Sequence, residues 1–178
     1  METKETSYIF LDIDGVMMPL GSHEYMRRDM KEIKAYYVSL NPAFEEAGLL
    51  DIAMVNCDWY PKAIVHLKEV VEQCDARIIV TSSWRIGRSL EILKLLFSIY
   101  DLGDYVVDAT IETGDKSEEI ELYLCGYPEI KNYVIIDDID MGKHFRHHFV
   151  HVKDKYFNEE NRNQAIEILK GYEKNELE

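Results

Sequence analysis

Two short apolar runs, each closing on a cluster of aspartates, constrain this chain more than any other feature. The first is YIFLDIDGV (residues 8–16), ending in Asp12, Asp14 and Gly15; the second is NYVIIDDID (residues 132–140), ending in Asp137, Asp138 and Asp140. Near-continuous apolar runs of this length read as strands covered on both faces, as in a parallel sheet flanked by helices. Strands are expected at residues 8–13, 77–80, 105–107, 133–136 and 149–152. Helical spacing fills the gaps. Pro61 suits a first helical position, and Ile64, Leu67, Val71 and Cys74 then share one face. Leu90, Leu93, Phe97 and Tyr100 mark a second helix, and Ile120 and Leu124 a third that starts near Lys116. Ala165, Ile168, Leu169 and Tyr172 mark a fourth. Strands separated by helices predict an α/β fold, a doubly wound parallel five-stranded sheet with right-handed crossovers.

One stretch breaks the alternation. About 40 residues separate the first strand from the helix at Pro61, too many for an ordinary connection in a compact domain. Residues 17–58 are therefore expected to form a flap or small cap over the site, inserted into a core built from residues 1–16 and 59–178. At 178 residues the chain fits one such domain. The tail EKNELE is expected to be frayed.

In open α/β sheets, ligands bind at the carboxyl ends of the strands, where strand order reverses. If the two aspartate-bearing strands are neighbours, up to five carboxylates crowd one small volume. They repel one another unless a cation sits between them, and a hard divalent ion with oxygen ligands, above all Mg²⁺, answers that problem. A third strand, in ARIIVTSSWR (residues 76–85), ends in Thr81, Ser82 and Ser83, whose hydroxyls and free N–H groups suit phosphate oxygens. In TGDKSEEIELYL (residues 113–124), Lys116 falls at a helix start, where a cation is unfavourable and needs an anion beside it. Asp12 and a bound phosphate are the natural choices.

A lone DxDG is a weak signal, since acidic turns with glycine are common. The order is specific: a strand ending DxDG, a strand ending in Thr/Ser, a lysine at a helix start, and a strand ending DD. Over residues 8–172 this resembles the haloacid dehalogenase-like (HAD) superfamily of phosphohydrolases, whose sheet is the Rossmann-like one expected here. The SSWR string and the GDKSEEIELYL segment further resemble a HAD subgroup that includes domains of RNA-repair proteins. The resemblance implies that Asp12 attacks phosphorus to form an aspartyl-phosphate, and that Asp14 protonates the leaving oxygen and later activates water. It implies that Thr81 or Ser82 binds the phosphoryl group and that Lys116 neutralises charge. Asp137 or Asp138 would complete a Mg²⁺ site with Asp12 and the carbonyl of Asp14; which of Asp137, Asp138 and Asp140 touches metal is left open. Receiver domains use similar residues but place the acidic pair first and the lysine last, and they lack a second acid two residues after the nucleophile.

Composition narrows the partners. The formal net charge of −14 disfavours long nucleic acid as a non-specific partner, while leaving nucleotide or polynucleotide ends open beside small or medium phosphorylated metabolites. No apolar run is long enough to span a bilayer, and METKETSYIF lacks a leader's basic start, so a cytoplasmic location is expected. Three scattered cysteines exclude a disulfide framework, and Cys74 reads as a buried thiol. HFRHHFVH (residues 144–151) lacks zinc-site spacing and reads as solvated loop histidines. Trp84 is expected to wedge its loop against the core. Arg85 and Arg88 stand open between outward solvation and phosphate contact, and Arg27, Arg28, Lys31 and Lys34 between a solvated helix face and substrate contact. Beside a phosphatase of metabolites or of nucleotide ends stands a third reading, a catalytically silent HAD-fold binding module, which intact candidates for every catalytic role disfavour.

Overall fold

A computed structural model describes residues 6–175, with side chains described through residue 171. The side chain of Tyr172 and the 173–178 tail, both read from sequence above, lie outside the described side chains.

Five parallel strands form one sheet: β1 (Ser7–Leu11), β2 (Ala76–Val80), β3 (Val106–Ala109), β4 (Tyr133–Asp137) and β5 (Phe149–His151), in the order β3-β2-β1-β4-β5. The chain moves outward from β1 to β3, then returns across β1 to lay down β4 and β5. The order therefore reverses beside β1, and that reversal opens the crevice in which doubly wound sheets bind ligands.

Side chains alternate between two covered faces, as the pleat requires. Ile9, Leu11, Ile78, Val80, Val134, Ile136 and Val150 join the larger core cluster. It is closed by α3 (Pro61–Cys74), α4 (Leu90–Ser98) and α6 (Glu159–Asn175), through residues such as Leu67, Phe97 and Ala165. Phe10, Ile79, Ile135 and Phe149 face the other way, against Ile120 of α5 (Lys116–Gly126) and against Met141 and Phe145 of the loop after β4. Cys74 is buried at the end of α3.

Residues 17–58 contain two helices that the sequence reading did not resolve, α1 (Met30–Leu40) and α2 (Leu49–Asp58). The Asp29 carboxylate caps α1 by accepting from the N–H groups of Lys31 and Glu32. The Lys34 ammonium donates to the carbonyls of Glu45 (2.8 Å) and Ala47 (2.9 Å) and so closes the helical hairpin. Phe44, Ala47, Ile52 and Val55 enter the larger core cluster, so this segment adds to the main core and builds none of its own. Of the remaining basic residues, Arg27 pairs with Glu24 at 2.7 Å, and Arg28 and Lys31 are exposed.

The histidine reading needs a correction. His144 and His147 are exposed, but the His148 ring stacks on Tyr133 at 4.1 Å and bonds the Tyr133 carbonyl. His151, also half-buried, bonds the carbonyl of Asp138. Both tie the loop after β4 to the sheet edge, because β5 runs beside β4 and brings their rings against its backbone. Among the described residues, no helix is long and apolar enough to cross a membrane.

Candidate active site

Strand register assembles the site. Leu11 pairs with Val80 on one side and Ile136 on the other, so the next residues, Asp12, Thr81 and Asp137, emerge side by side. The backbone confirms the alignment: Asp12 N–H donates to Ile136 and Thr81 N–H to Leu11. Beyond β1 the chain turns sharply at Gly15 (φ +78°), whose N–H donates to the Met18 carbonyl at 2.7 Å. A β-carbon on Gly15 would collide with the Asp138 carboxylate, so only glycine allows the turn to lie against it.

Lys116 enters from the first turn of α5, which is capped by the Asp115 carboxylate through the N–H groups of Ser117 and Glu118. Its ammonium lies 2.8 Å from Asp12 Oδ1 and 2.8 Å from Asp137 Oδ2. The anions that offset the unfavourable helix dipole are thus two strand-end carboxylates. Asp12, Asp137 and Asp138 each offer an oxygen within 4.8 Å of the others. Burial raises the Asp12 pKa, with Lys116 opposing it. Burial and the Asp12 charge push Asp137 up to about 7, again against Lys116. Burial disfavours the Lys116 charge, but Asp12 and Asp137 outweigh it and raise its pKa. Three carboxylates face a single ammonium, and the all-oxygen donor set suits a hard divalent cation. The residues present therefore fit a Mg²⁺ ion.

Against known families, residues 8–161 match a family model described as the HAD domain in Swiss Army Knife RNA repair proteins. The chain belongs to this family. Searches of curated proteins and of solved structures return no match.

The HAD domain, a hydrolase of that general type, sorts the remaining candidates. Asp14 is half-buried, and its carboxylate lies outside the three-aspartate group. It accepts from Trp84 Nε1 at 3.3 Å and from Ser83 Oγ at 3.4 Å. Asp140 also stands apart: it is exposed, and its carboxylate accepts from the Gly142 N–H. Thr81 and Ser82 are fully buried at the end of β2. The Ser82 hydroxyl accepts from the Trp84 N–H at 3.4 Å, whereas the Thr81 hydroxyl has no partner among the described residues.

Trp84 does wedge its loop inward, 6.1 Å from the Trp59 ring, and its indole N–H also reaches Asp14, a contact that sequence reasoning missed. Arg85 and Arg88 do not turn outward into solvent. Arg85 turns inward and donates to the carbonyls of Thr110, Thr81 and Ser82 at 2.8, 2.5 and 2.6 Å. Its guanidinium also pairs with Glu119, and both side chains are buried. Arg88 lies over the Trp84 ring and forms two hydrogen bonds to Asp51 of α2, at 2.8 and 2.6 Å. Burial explains the Arg85 placement: carbonyls at the end of a strand need donors, and a planar guanidinium satisfies several at once.

The Asp137 shift has a measurable consequence. Its folded pKa of about 7 lies above the ordinary value of 3.8, so the metal-free native state binds that proton more tightly than the unfolded chain. The resulting stabilisation is complete below about pH 4 and is lost as pH rises to about 7. A divalent cation competes with the same proton. At a Mg²⁺ concentration near 100 times its dissociation constant, binding adds about 2.7 kcal/mol, or roughly 5–10 °C in melting temperature. Thermal melts should show that full rise at pH 8 and a smaller one at pH 5. An equal or larger rise at pH 5 would contradict the coupling.

Proposed function

We propose that this HAD domain is a Mg²⁺-dependent phosphomonoester hydrolase that works through an aspartyl-phosphate on Asp12. The observation that carries the reading is the Asp12 carboxylate at the mouth of the sheet, bonded to Lys116 and flanked by Asp137 and Asp138. Asp12 attacks phosphorus; an Asp12 Oδ–P bond forms and the ester P–O bond breaks, while Asp14 delivers a proton to the departing oxygen. In the second step Asp14 takes a proton from water, the water oxygen bonds to phosphorus, and the carboxylate of Asp12 is released. Trp84 and Ser83 hold Asp14 for this exchange. Lys116 and the hydroxyls at Thr81 and Ser82 receive the phosphoryl oxygens. A Mg²⁺ ion held by Asp12, Asp137, Asp138 and the carbonyl of Asp14 would neutralise charge on the transferring group.

A narrower reading concerns the substrate. The family description speaks of RNA repair, which favours a phosphate at a nucleotide or polynucleotide end over one on an unrelated metabolite. The cytoplasm is the compartment in which such a domain is expected to work. The test of the general reading is hydrolysis of an aryl phosphate, expected with added Mg²⁺ and abolished by chelation. Activity that survives chelation would remove the metal from the account. Absence of hydrolysis across aryl phosphates, nucleotides and phosphorylated oligonucleotides would support the silent binding module.

A further inference from the structure

A groove of about 840 Å³ opens directly from the site. Gly15 and Asp138 form its inner end, Pro19, Leu20, Gly21 and Ser22 one wall, and the segment from His151 to Lys155 the other. A phosphate group alone needs little of that space, whereas pockets for nucleotide-sized ligands fall in this range. The groove begins at the glycine turn beside the nucleophile's strand, so a substrate whose phosphate sits at Asp12 has its remainder directed along it.

The outer wall carries charge that the fold leaves unused. Lys153 and Lys155 are exposed, and neither has a hydrogen bond or ion pair among the described residues. The other charged groups of the lining are occupied. Asp154 accepts from Asn158 Nδ2 at 2.6 Å, Asp138 belongs to the carboxylate group, and the His151 ring bonds the Asp138 carbonyl. In a chain with 34 acidic and 20 basic residues, two unpaired ammonium groups beside a phosphate site favour a second anion there. Leu20, 70% exposed on the opposite wall, offers an apolar surface for a sugar or base between the two anionic groups.

We propose that this groove is a subsite for a second phosphate of the substrate, with Lys153 and Lys155 as the residues that select for it. The proposal deepens the phosphatase reading and rests on it. The class of substrate is a phosphomonoester that bears a further phosphate or phosphodiester about one nucleotide away. A nucleoside 3′,5′-bisphosphate and a dinucleotide with a terminal phosphate both meet that description.

The test is the double variant Lys153→Glu/Lys155→Glu, with Lys153→Gln/Lys155→Gln as the milder pair; both positions are exposed, so the fold should be retained. For both two-phosphate substrates, kcat/KM should fall about tenfold or more through KM. The aryl phosphate, which does not reach the groove, should change less than about twofold. The glutamine pair should lie between wild type and the glutamate pair. A loss confined to the bisphosphate assigns the subsite to a terminal phosphate, and a loss on both extends it to a phosphodiester. Equal losses on all three substrates, or none on any, would overturn the proposal. Calorimetric binding of the nucleoside 3′,5′-bisphosphate to wild type and to the glutamate pair separates the two readings. If wild type hydrolyses nothing, the phosphatase reading fails, and the affinity difference alone decides the groove.

Discussion

Asp12→Asn should eliminate hydrolysis of phosphate monoesters, lowering kcat by on the order of 10⁴-fold or more. The substitution keeps the shape of the side chain and removes the attacking oxygen's charge, leaving an amide that is a far poorer nucleophile. The fold should survive it. Asp12 is buried, and its ionised form is disfavoured there, so a neutral side chain relieves part of that cost. Lys116 retains its 2.8 Å contact with Asp137, which keeps α5 in place. The expected pattern is a melting temperature within a few degrees of wild type beside a near-complete loss of turnover in steady-state assays. Retention of even a tenth of wild-type kcat would remove Asp12 from the role of nucleophile.

The second large effect falls on stability. Arg85→Met should cost on the order of 3–5 kcal/mol, or roughly 6–20 °C in melting temperature. It removes four hydrogen bonds at once and leaves the Glu119 carboxylate buried, with the Thr113 N–H as its one remaining donor among the described residues. Adding Glu119→Leu removes the stranded charge, so the double variant should be more stable than Arg85→Met alone. Activity should not return with stability, because the Arg85–Glu119 pair ties the Thr81–Ser82 loop to the helix that carries Lys116. Thermal melts of the two single variants and the double variant form the cycle that tests this. Strictly additive losses would show that the pair is not coupled.

Much of the site was legible in the sequence because buried parallel strands announce themselves as apolar runs, and the residue that ends such a run is the one set at the sheet's mouth. YIFLDIDGV and NYVIIDDID placed Asp12 and Asp137 at strand ends. Only the register, with Leu11 beside Ile136, made them neighbours. Asp140 could be separated from its neighbours only by seeing its carboxylate turn back on Gly142. Arg85 was illegible for a similar reason. Its partners Thr110 and Glu119 lie 25 and 34 residues away, and no local pattern encodes such contacts. Helix α1 escaped notice because it buries no residue completely, and α2 because its inward face ends in a carboxylate, Asp58. The boundary residues of α1, Asp29 and the Asn41–Pro42 pair, were the signals that could have found it.

A covalent phosphoryl group on Asp12 is the intermediate that the proposed mechanism requires, and one chemical trapping experiment detects it. Asp14→Asn should form the intermediate readily from an aryl phosphate labelled at phosphorus, because a good leaving group departs without a proton. The same variant should hydrolyse the intermediate slowly, since no base remains to activate water. Acid quenching within one turnover, followed by peptide mapping, should find close to one labelled phosphoryl group per chain in the peptide that contains residues 8–16, and none when Asp12→Asn is added. Label on any other peptide, or no label while product still accumulates, would contradict the account.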